Sequence, residues 1–511
     1  MFVVGRSRFW KSAGVSSTGK STAAAKIWSD LAWLFLACFA LHVAGTWSLP
    51  LCDRDEPRFA EASREMLQRG DAIVPWFNNQ PRYDKPPLIY WCQIAAYTVT
   101  GQNEFSARLP SVIASALTSL ALYGFGRRLR GRTTGLWAAI LFATCAQTIA
   151  HSKLAVADML MILFFTTAAW SAWELSRRSP TAPDRRWWWA LGGSLGLAFL
   201  AKGPVGLLPA LFPFLATRVA GRPAPSRQIQ PVRLAIVVLA LIALWGIPAL
   251  VLTHGDFWRV GMGKHVFQRS IGVLDGHGGA NLLKYLATVP LYFGTVFVSF
   301  FPWSIWLVWL VRRLWQRKRA REFDEAFLLT GTLLVFGIFS LVRTKLPHYT
   351  LPAFPLMCLL LVCEWNCAGS SLRWPARAAA GMAALALTLS LLVFPRLAPL
   401  FPAKQIAREC QPWLRPETAL ASADYTEPSL CWYFRRHIAG FHETLTMEEL
   451  PAFMKEAGPR VCLLPTAKVP ATFPAVPTAW HRVEVRGFNL ANGKPVDLTA
   501  LVKSTESTDE N

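Results

Sequence analysis

Long apolar stretches separated by short polar clusters dominate the chain. A helix of about 20 apolar residues spans a hydrocarbon core of about 30 Å. Runs of that kind fall near residues 28–49, 105–126, 134–152, 154–175, 187–201, 203–220, 232–252, 281–311, 323–342, 347–367 and 378–398. The run at 281–311 is too long for one simple crossing, so the pattern predicts an α-helical polytopic membrane protein with about 11–13 transmembrane helices. The run at 28–49 follows a long polar segment and precedes many more spans, which reads as a retained signal anchor rather than a cleaved signal. After about residue 399 the pattern changes to alternating strand-like and helix-like segments of ordinary soluble composition. Strands are expected at Ala419–Ala423, Arg460–Pro465, His481–Gly487 and Val496–Val502, and helices at Ala403–Trp413, Pro428–Phe434 and Met447–Ala457. This alternation predicts a small α/β domain.

Composition agrees with the spans: 53% of residues are apolar and only 16% are charged, against about 25% charged in an ordinary soluble domain. The net charge of +22 would suggest nucleic acid if it lay on one folded surface. It does not. Basic residues cluster in alternate loops: Arg127, Arg128, Arg130 and Arg132; Arg177, Arg178, Arg185 and Arg186; Arg218, Arg222, Arg227 and Arg233; Arg312 to Arg321; and Arg373 with Arg377. Lys and Arg are retained on the cytoplasmic side, and the eleven spans place all these clusters, with the basic N-terminal tail, on one side. The segment Leu88–Gly101 would break that agreement if it crossed the membrane. Pro86, Pro87, Tyr90, Trp91 and Tyr97 suit the bilayer edge instead, so it is expected to be interfacial or re-entrant. The expected organisation is a cytoplasmic basic tail (1–27), a membrane domain (28–398) with outer loops 50–104 and 253–280, and an outer-side α/β domain (399–511). Cys52, Cys410, Cys431 and Cys462 face the outer compartment, where disulfides are permitted, but the spacing fixes no pairing.

This topology gathers the remaining ionisable residues on the outer membrane face. They are Asp53, Asp55, Glu56, Arg58, Glu61, Arg64 and Glu65; Arg82, Asp84 and Lys85; Asp158; Lys202; Lys264, His265 and Arg269; and Arg343, Lys345, His348 and Tyr349. Charge at membrane depth is costly, and its default reading is functional. Carboxylates supply general bases, and Lys and Arg hold phosphate oxygens through charge-assisted hydrogen bonds. The mixture suits a phosphate-linked lipid whose tail lies between helices. Structural readings compete at each position. Asp55 and Glu56 also suit the first turn of a helix over 56–68, ahead of Pro57. Lys85 could snorkel to the interface, Lys202 and Lys345 could be interface anchors, and His265 could be a hydrogen-bonded loop histidine. Asp158 beside an apolar span needs a partner.

Several segments together resemble the integral-membrane GT-C glycosyltransferases: Asp53-Arg-Asp-Glu-Pro-Arg-Phe-Ala-Glu-Ala-Ser-Arg-Glu-Met66, Tyr83-Asp-Lys-Pro-Pro-Leu-Ile-Tyr-Trp91, Ala201-Lys-Gly-Pro204 and Lys345-Leu-Pro-His-Tyr-Thr-Leu-Pro352. Within that class the chain is most similar to the bacterial lipid A aminoarabinose transferases, relatives of the protein O-mannosyltransferases. The resemblance implies transfer of a sugar from a polyprenyl (undecaprenyl) phosphate carrier to lipid A, another envelope glycan or a protein, at the outer face of the bacterial inner membrane. It implies Asp55 at the catalytic centre and Lys85 on the carrier phosphate, assisted by Arg269 and Tyr349. From their position on the same face, Glu56 and Asp158 are further candidate carboxylates, and Arg58, Lys202 and Lys345 further candidate cations. A divalent metal is associated in the family with positions matching Asp84 and His265; the family typically has Glu where this chain has Asp84.

Two alternatives are weaker. Gly14-Val-Ser-Ser-Thr-Gly-Lys-Ser21 satisfies the P-loop expression, but it lacks the preceding strand that a phosphate cradle requires. A flippase of a lipid-linked glycan would be expected to show internal repeats and charges near the midplane, and neither is visible.

Overall fold

The computed structural model describes residues 17–178, 184–268, 282–316 and 321–504, with the side chains of residues 17–24, 262, 264–268 and 282–284 outside the description. The chain runs through α1 (Ser17–Val43), α2 (Asp55–Arg69), α3 (Leu88–Thr100), α4 (Glu104–Arg130), α5 (Arg132–Ala143), α6 (Ala146–Ser152), α7 (Asp158–Ser176) and α8 (Arg185–Lys202). Later helices include Pro231–Leu252, Phe323–Leu341, Phe354–Ala368 and Arg373–Thr388.

Each of the eleven apolar runs is helical, but fewer qualify as crossings. Among the described residues seven helices are long and apolar enough to span a bilayer, or nine if two bent pairs each count as one. The runs at 187–201 and 203–220 lie in helices, Arg185–Lys202 and the broken Pro204–Val219, that fall short of that length-and-composition measure. The run at 134–152 is bent by 66° between α5 and α6, and the long run at 281–311 is bent by 117° near Pro302. Each break frees backbone groups, and within a bilayer these must find partners. The two breaks supply one another: the Ala146 N–H donates to Phe301 O (2.8 Å), and the Cys145 thiol donates to Ser299 O (3.1 Å). Helix α3 has 13 residues, about 20 Å at 1.5 Å per residue, which is too short to cross.

From Pro402 onward a five-stranded sheet forms in the spatial order His442–Thr444, Ala419–Ser422, Arg460–Pro465, Lys494–Lys503, His481–Asn489. The first three strands are parallel and the last two pairings antiparallel. The short edge strand at 442–444 is not anticipated by the sequence, because His-Glu-Thr offers no apolar alternation. The expected helix at 447–457 is trimmed to Leu450–Lys455, with Thr446 and Glu449 bonding each other before it.

This domain does not stand apart from the membrane domain. Leu51, Ala60 and Tyr97 share one apolar core with Trp432, Tyr433 and Ile406. Around that core the buried Arg64 stacks on Trp432 at 4.5 Å and donates to Trp432 O at 3.1 Å. Arg435 reaches back to Glu61 and Glu65, and Asn78 exchanges two hydrogen bonds with the His442 backbone (2.7 and 2.8 Å).

Helix α2 is fixed to the membrane domain by Glu56 and Arg108, each 2% exposed at the side chain. Arg108 holds both Glu56 oxygens at 2.8 Å and also donates to the carbonyls of Thr46, Leu49 and Pro50. Breaking a buried pair from one side strands the other charge, at a cost of about 3–5 kcal/mol. Arg108→Met is therefore expected to lower unfolding stability in mild detergent by about that amount, read from denaturant or thermal melts. A loss under about 1 kcal/mol would show that the pair does not anchor α2.

Candidate active site

Helix α2 begins with Asp55 and Glu56, and the two carboxylates diverge because successive residues on a helix point about 100° apart. Glu56 turns inward. Besides Arg108, its oxygens accept from the Cys52 N–H (2.8 Å) and the Ala155 N–H (2.7 Å). Each oxygen thus takes two bonds and none is left for a substrate, which corrects the expectation that Glu56 belongs to the reacting set. Asp55 turns outward and is exposed.

Next to Asp55 lie Arg58, which is half-buried, and Arg82. Burial and the neighbouring Arg82 charge hold Arg58 below its ordinary arginine value, with Asp55 and Asp84 opposing. Arg82 donates from Nε to the Tyr90 hydroxyl (3.2 Å), lies over Phe59 at 5.2 Å and pairs with Asp84 at 2.9 Å. It thereby ties α2, the loop before α3, and α3 itself to one point. Lys85 donates to the Asp84 carbonyl (3.2 Å).

Asp84 and Lys85 stand at one end of a cavity of about 660 Å³. The same end carries Asp158, Lys202, His348 and Tyr349, and the walls are apolar, with Met161, Phe199, Leu239, Ile242, Leu250 and Phe257 among them. Asp158 begins α7 and Lys202 ends α8, and their side chains form an ion pair. Lys202 lies 5.8 Å from the Tyr349 ring centroid. His348 Nε2 is 3.9 Å from Asp158 Oδ1, and the His151 and His348 rings are 5.1 Å apart. The sequence reading collects His348 with the outer turn but gives it no role, and it passes over His151. The only available signal was that both flank apolar helices on the same face as Asp158.

Of the expected phosphate-binding cations, Lys85 and Lys202 reach the cavity, and Arg58 stands beside Asp55. Lys345 does not line it. Its ammonium donates to Phe339 O (3.0 Å) and Ser340 O (2.5 Å), the last carbonyls of Phe323–Leu341, so it caps a helix end. Burial lowers its pKa. Lys153 does the same for α1, donating to the carbonyls of Leu41, His42 and Ala44 (2.7–3.1 Å), and burial lowers it to about 8. Arg269 and the His265 side chain lie outside the described residues. The expected metal pair therefore has only Asp84 to show, and that carboxylate is engaged by Arg82; a metal there gains no support from the described residues. Among them, two other groups have ligand-type spacing, His151–Asp158–His348 and Glu61–Glu65–Cys431. The second is crossed by Arg64 and Arg435.

The fold is that of ArnT from Cupriavidus metallidurans bound to undecaprenyl phosphate, with a TM-score of 0.76 at 17% identity over 97% of this chain and 100% of that one. An Archaeoglobus fulgidus oligosaccharyltransferase in complex with Zn and sulfate is more distant, with a TM-score of 0.51 at 13% identity over 91% and 72% of the two chains.

More narrowly, the chain is similar to proteins named undecaprenyl phosphate-alpha-4-amino-4-deoxy-L-arabinose arabinosyl transferase. The one from Erwinia tasmaniensis is 30% identical over 330 residues, 63% of this chain and 58% of that protein. The one from Pectobacterium carotovorum is 28% identical over 329 residues, 64% and 57% respectively. The matches therefore span less than two thirds of those relatives' length. Residues 84–247 match the family model described as dolichyl-phosphate-mannose-protein mannosyltransferase.

Asp53, two residues before Asp55, accepts from the Ser429 N–H (3.0 Å) and the Ser429 hydroxyl (2.6 Å) of the soluble domain. Burial raises its pKa to about 7, against the pull of those bonds. A carboxyl whose folded pKa is raised stabilises the fold fully below its unfolded value of about 4 and loses that contribution as pH rises through about 7. Asp53→Asn is expected to flatten the stability profile across that window, as followed by melts at stepped pH; an unchanged slope would remove Asp53 as its source.

Proposed function

We propose that the protein is a polyprenyl-phosphate-dependent glycosyltransferase that moves a sugar from an undecaprenyl-type phosphate carrier to an acceptor at the outer face of the bacterial inner membrane. One observation carries this reading: an apolar cavity among membrane helices that ends in Lys85, Lys202, His348 and Tyr349, beside an exposed carboxylate. The carrier tail fits the apolar walls and its phosphate fits the charged end. Similarity to arabinosyl transferases that use undecaprenyl-phosphate sugars supports the donor class, and lipid A or a related envelope glycan is the acceptor most in keeping with it. The basic clusters orient the N-terminus to the cytoplasm and the soluble domain to the outer compartment.

The two substrates approach from different media. The donor enters from the bilayer, whereas Asp55 is exposed at the start of α2 and can meet a hydroxyl from outside. Asp55 takes the proton of the acceptor oxygen as that oxygen attacks the anomeric carbon. The bond from that carbon to the phosphate oxygen breaks, and the electron pair leaves with polyprenyl phosphate. Lys85 and Lys202 stabilise the charge that grows there, with Arg269 joining them on the strength of the resemblance. One direct displacement inverts the anomeric centre. Arg82 holds the Asp84–Lys85 segment in place, and such positioning is a large part of the rate.

Purified protein given a polyprenyl-phosphate sugar and a membrane glycolipid extract is expected to transfer the sugar, and Asp55→Asn to cut kcat by about 10²–10⁴ without loss of carrier binding. Equal turnover by both would take Asp55 out of the chemistry. Tight carrier binding with no transfer from any donor would favour a flippase. In the same assay Lys85→Met is expected to raise the donor KM at least about tenfold, as loss of a charge-assisted phosphate contact should. Lys345→Met is expected to lower the melting temperature and leave the donor KM within about twofold, since its ammonium caps a helix; a large KM rise would return Lys345 to the site.

A further inference from the structure

His151, Asp158 and His348 place their ligand atoms within 4.8 Å of one another, and Asp158 and His348 open onto the cavity. Two imidazoles and a carboxylate beside an open position make a donor set that suits zinc, with a substrate oxygen completing the shell. The position is already taken by a cation. The Lys202 ammonium pairs with Asp158 Oδ1, the oxygen that His348 Nε2 faces at 3.9 Å. Lys202 is the last residue of α8, where the negative end of the helix dipole favours a cation. Gly203 follows with φ of 79°, turning the chain away so that the side chain stays over the cavity end. A divalent ion seated here would meet the Lys202 ammonium with only one carboxylate among its ligands.

We propose that Lys202 is the resident cation of a His–Asp–His pocket that would otherwise hold a divalent metal, and that an ammonium rather than a metal ion meets the ligand at this end of the cavity. Asp158 orients that ammonium. His151 Nδ1 meets the Gln147 carbonyl (3.2 Å), while the His348 imidazole, which lines the cavity, is left without a metal and available to donate a hydrogen bond to an anionic oxygen. That this oxygen belongs to the carrier phosphate rests on the transferase reading; the occupancy of the pocket does not.

Metal binding tests the occupancy without turnover. Wild type, His151→Ala, Lys202→Met and the double variant Lys202→Met/His151→Ala are stripped with chelator and titrated with Zn²⁺, and with Co²⁺ for its tetrahedral visible absorption. Wild type and His151→Ala are expected to bind alike. Lys202→Met is expected to gain one further ion, bound at least about tenfold more weakly once His151 is also removed. A wild-type ion that His151→Ala or His348→Ala removes would overturn the proposal, as would a monodisperse Lys202→Met that gains none. Lys202→Gln is run beside it in case the methionine variant does not fold, and the wild-type comparison decides the first half without altering Lys202. Failure of sugar transfer alone would leave these metal results intact and count against the functional reading instead.

Discussion

The buried pair of Glu56 and Arg108 sets the geometry on which the site depends. Arg108 lies on α4, one of the deeply packed helices, and it gathers the Glu56 carboxylate together with three loop carbonyls after α1. With Glu56 drawn inward, the helical repeat sends Asp55 outward and brings Phe59 and Arg58 toward Arg82. Arg82 in turn pins the segment carrying Asp84 and Lys85 at the cavity mouth. The buried charge of Arg108 thus decides where the Asp55 carboxylate points.

The same economy of buried charge recurs at helix ends. Helix ends at a membrane boundary carry unsatisfied carbonyls, and lipid offers them no partners. Lys153 serves α1 and Lys345 serves Phe323–Leu341. Lys85 and Lys202 differ from these two in lining the cavity. The soluble domain belongs to this arrangement as well, since contacts of Arg64, Arg435, Asn78 and Ser429 bind it to α2 and to the segments on either side of that helix.

Much of the fold was legible because hydropathy reports burial in lipid directly. Every apolar run became a helix, the doubtful segment at 88–101 is a short helix, and four of the five strands fall where alternation placed them. The bends were not legible: the runs at 134–152 and 281–311 turn by 66° and 117°. In the site, Asp84, Lys85, Asp158, Lys202, His348 and Tyr349 line one cavity, but in the sequence a ligand-facing charge could not be separated from a capping one. Glu56 and Lys345 look the same in sequence as Asp55 and Lys85; only their partners in space distinguish them. His151 was invisible because a lone histidine at a helix end carries no pattern, and its meaning comes from Asp158 and His348 in other segments.

The central claim is that the cavity holds a lipid carrier with its phosphate at the Lys85–Lys202 end. An experimental structure of the protein in lipid with undecaprenyl phosphate tests it most directly. Phosphate density among Lys85, Lys202, His348 and Tyr349, with the tail running along Pro231–Leu252, is the expected result. Phosphate bound elsewhere, or a tail that avoids the cavity while Asp55 still governs turnover, would contradict it.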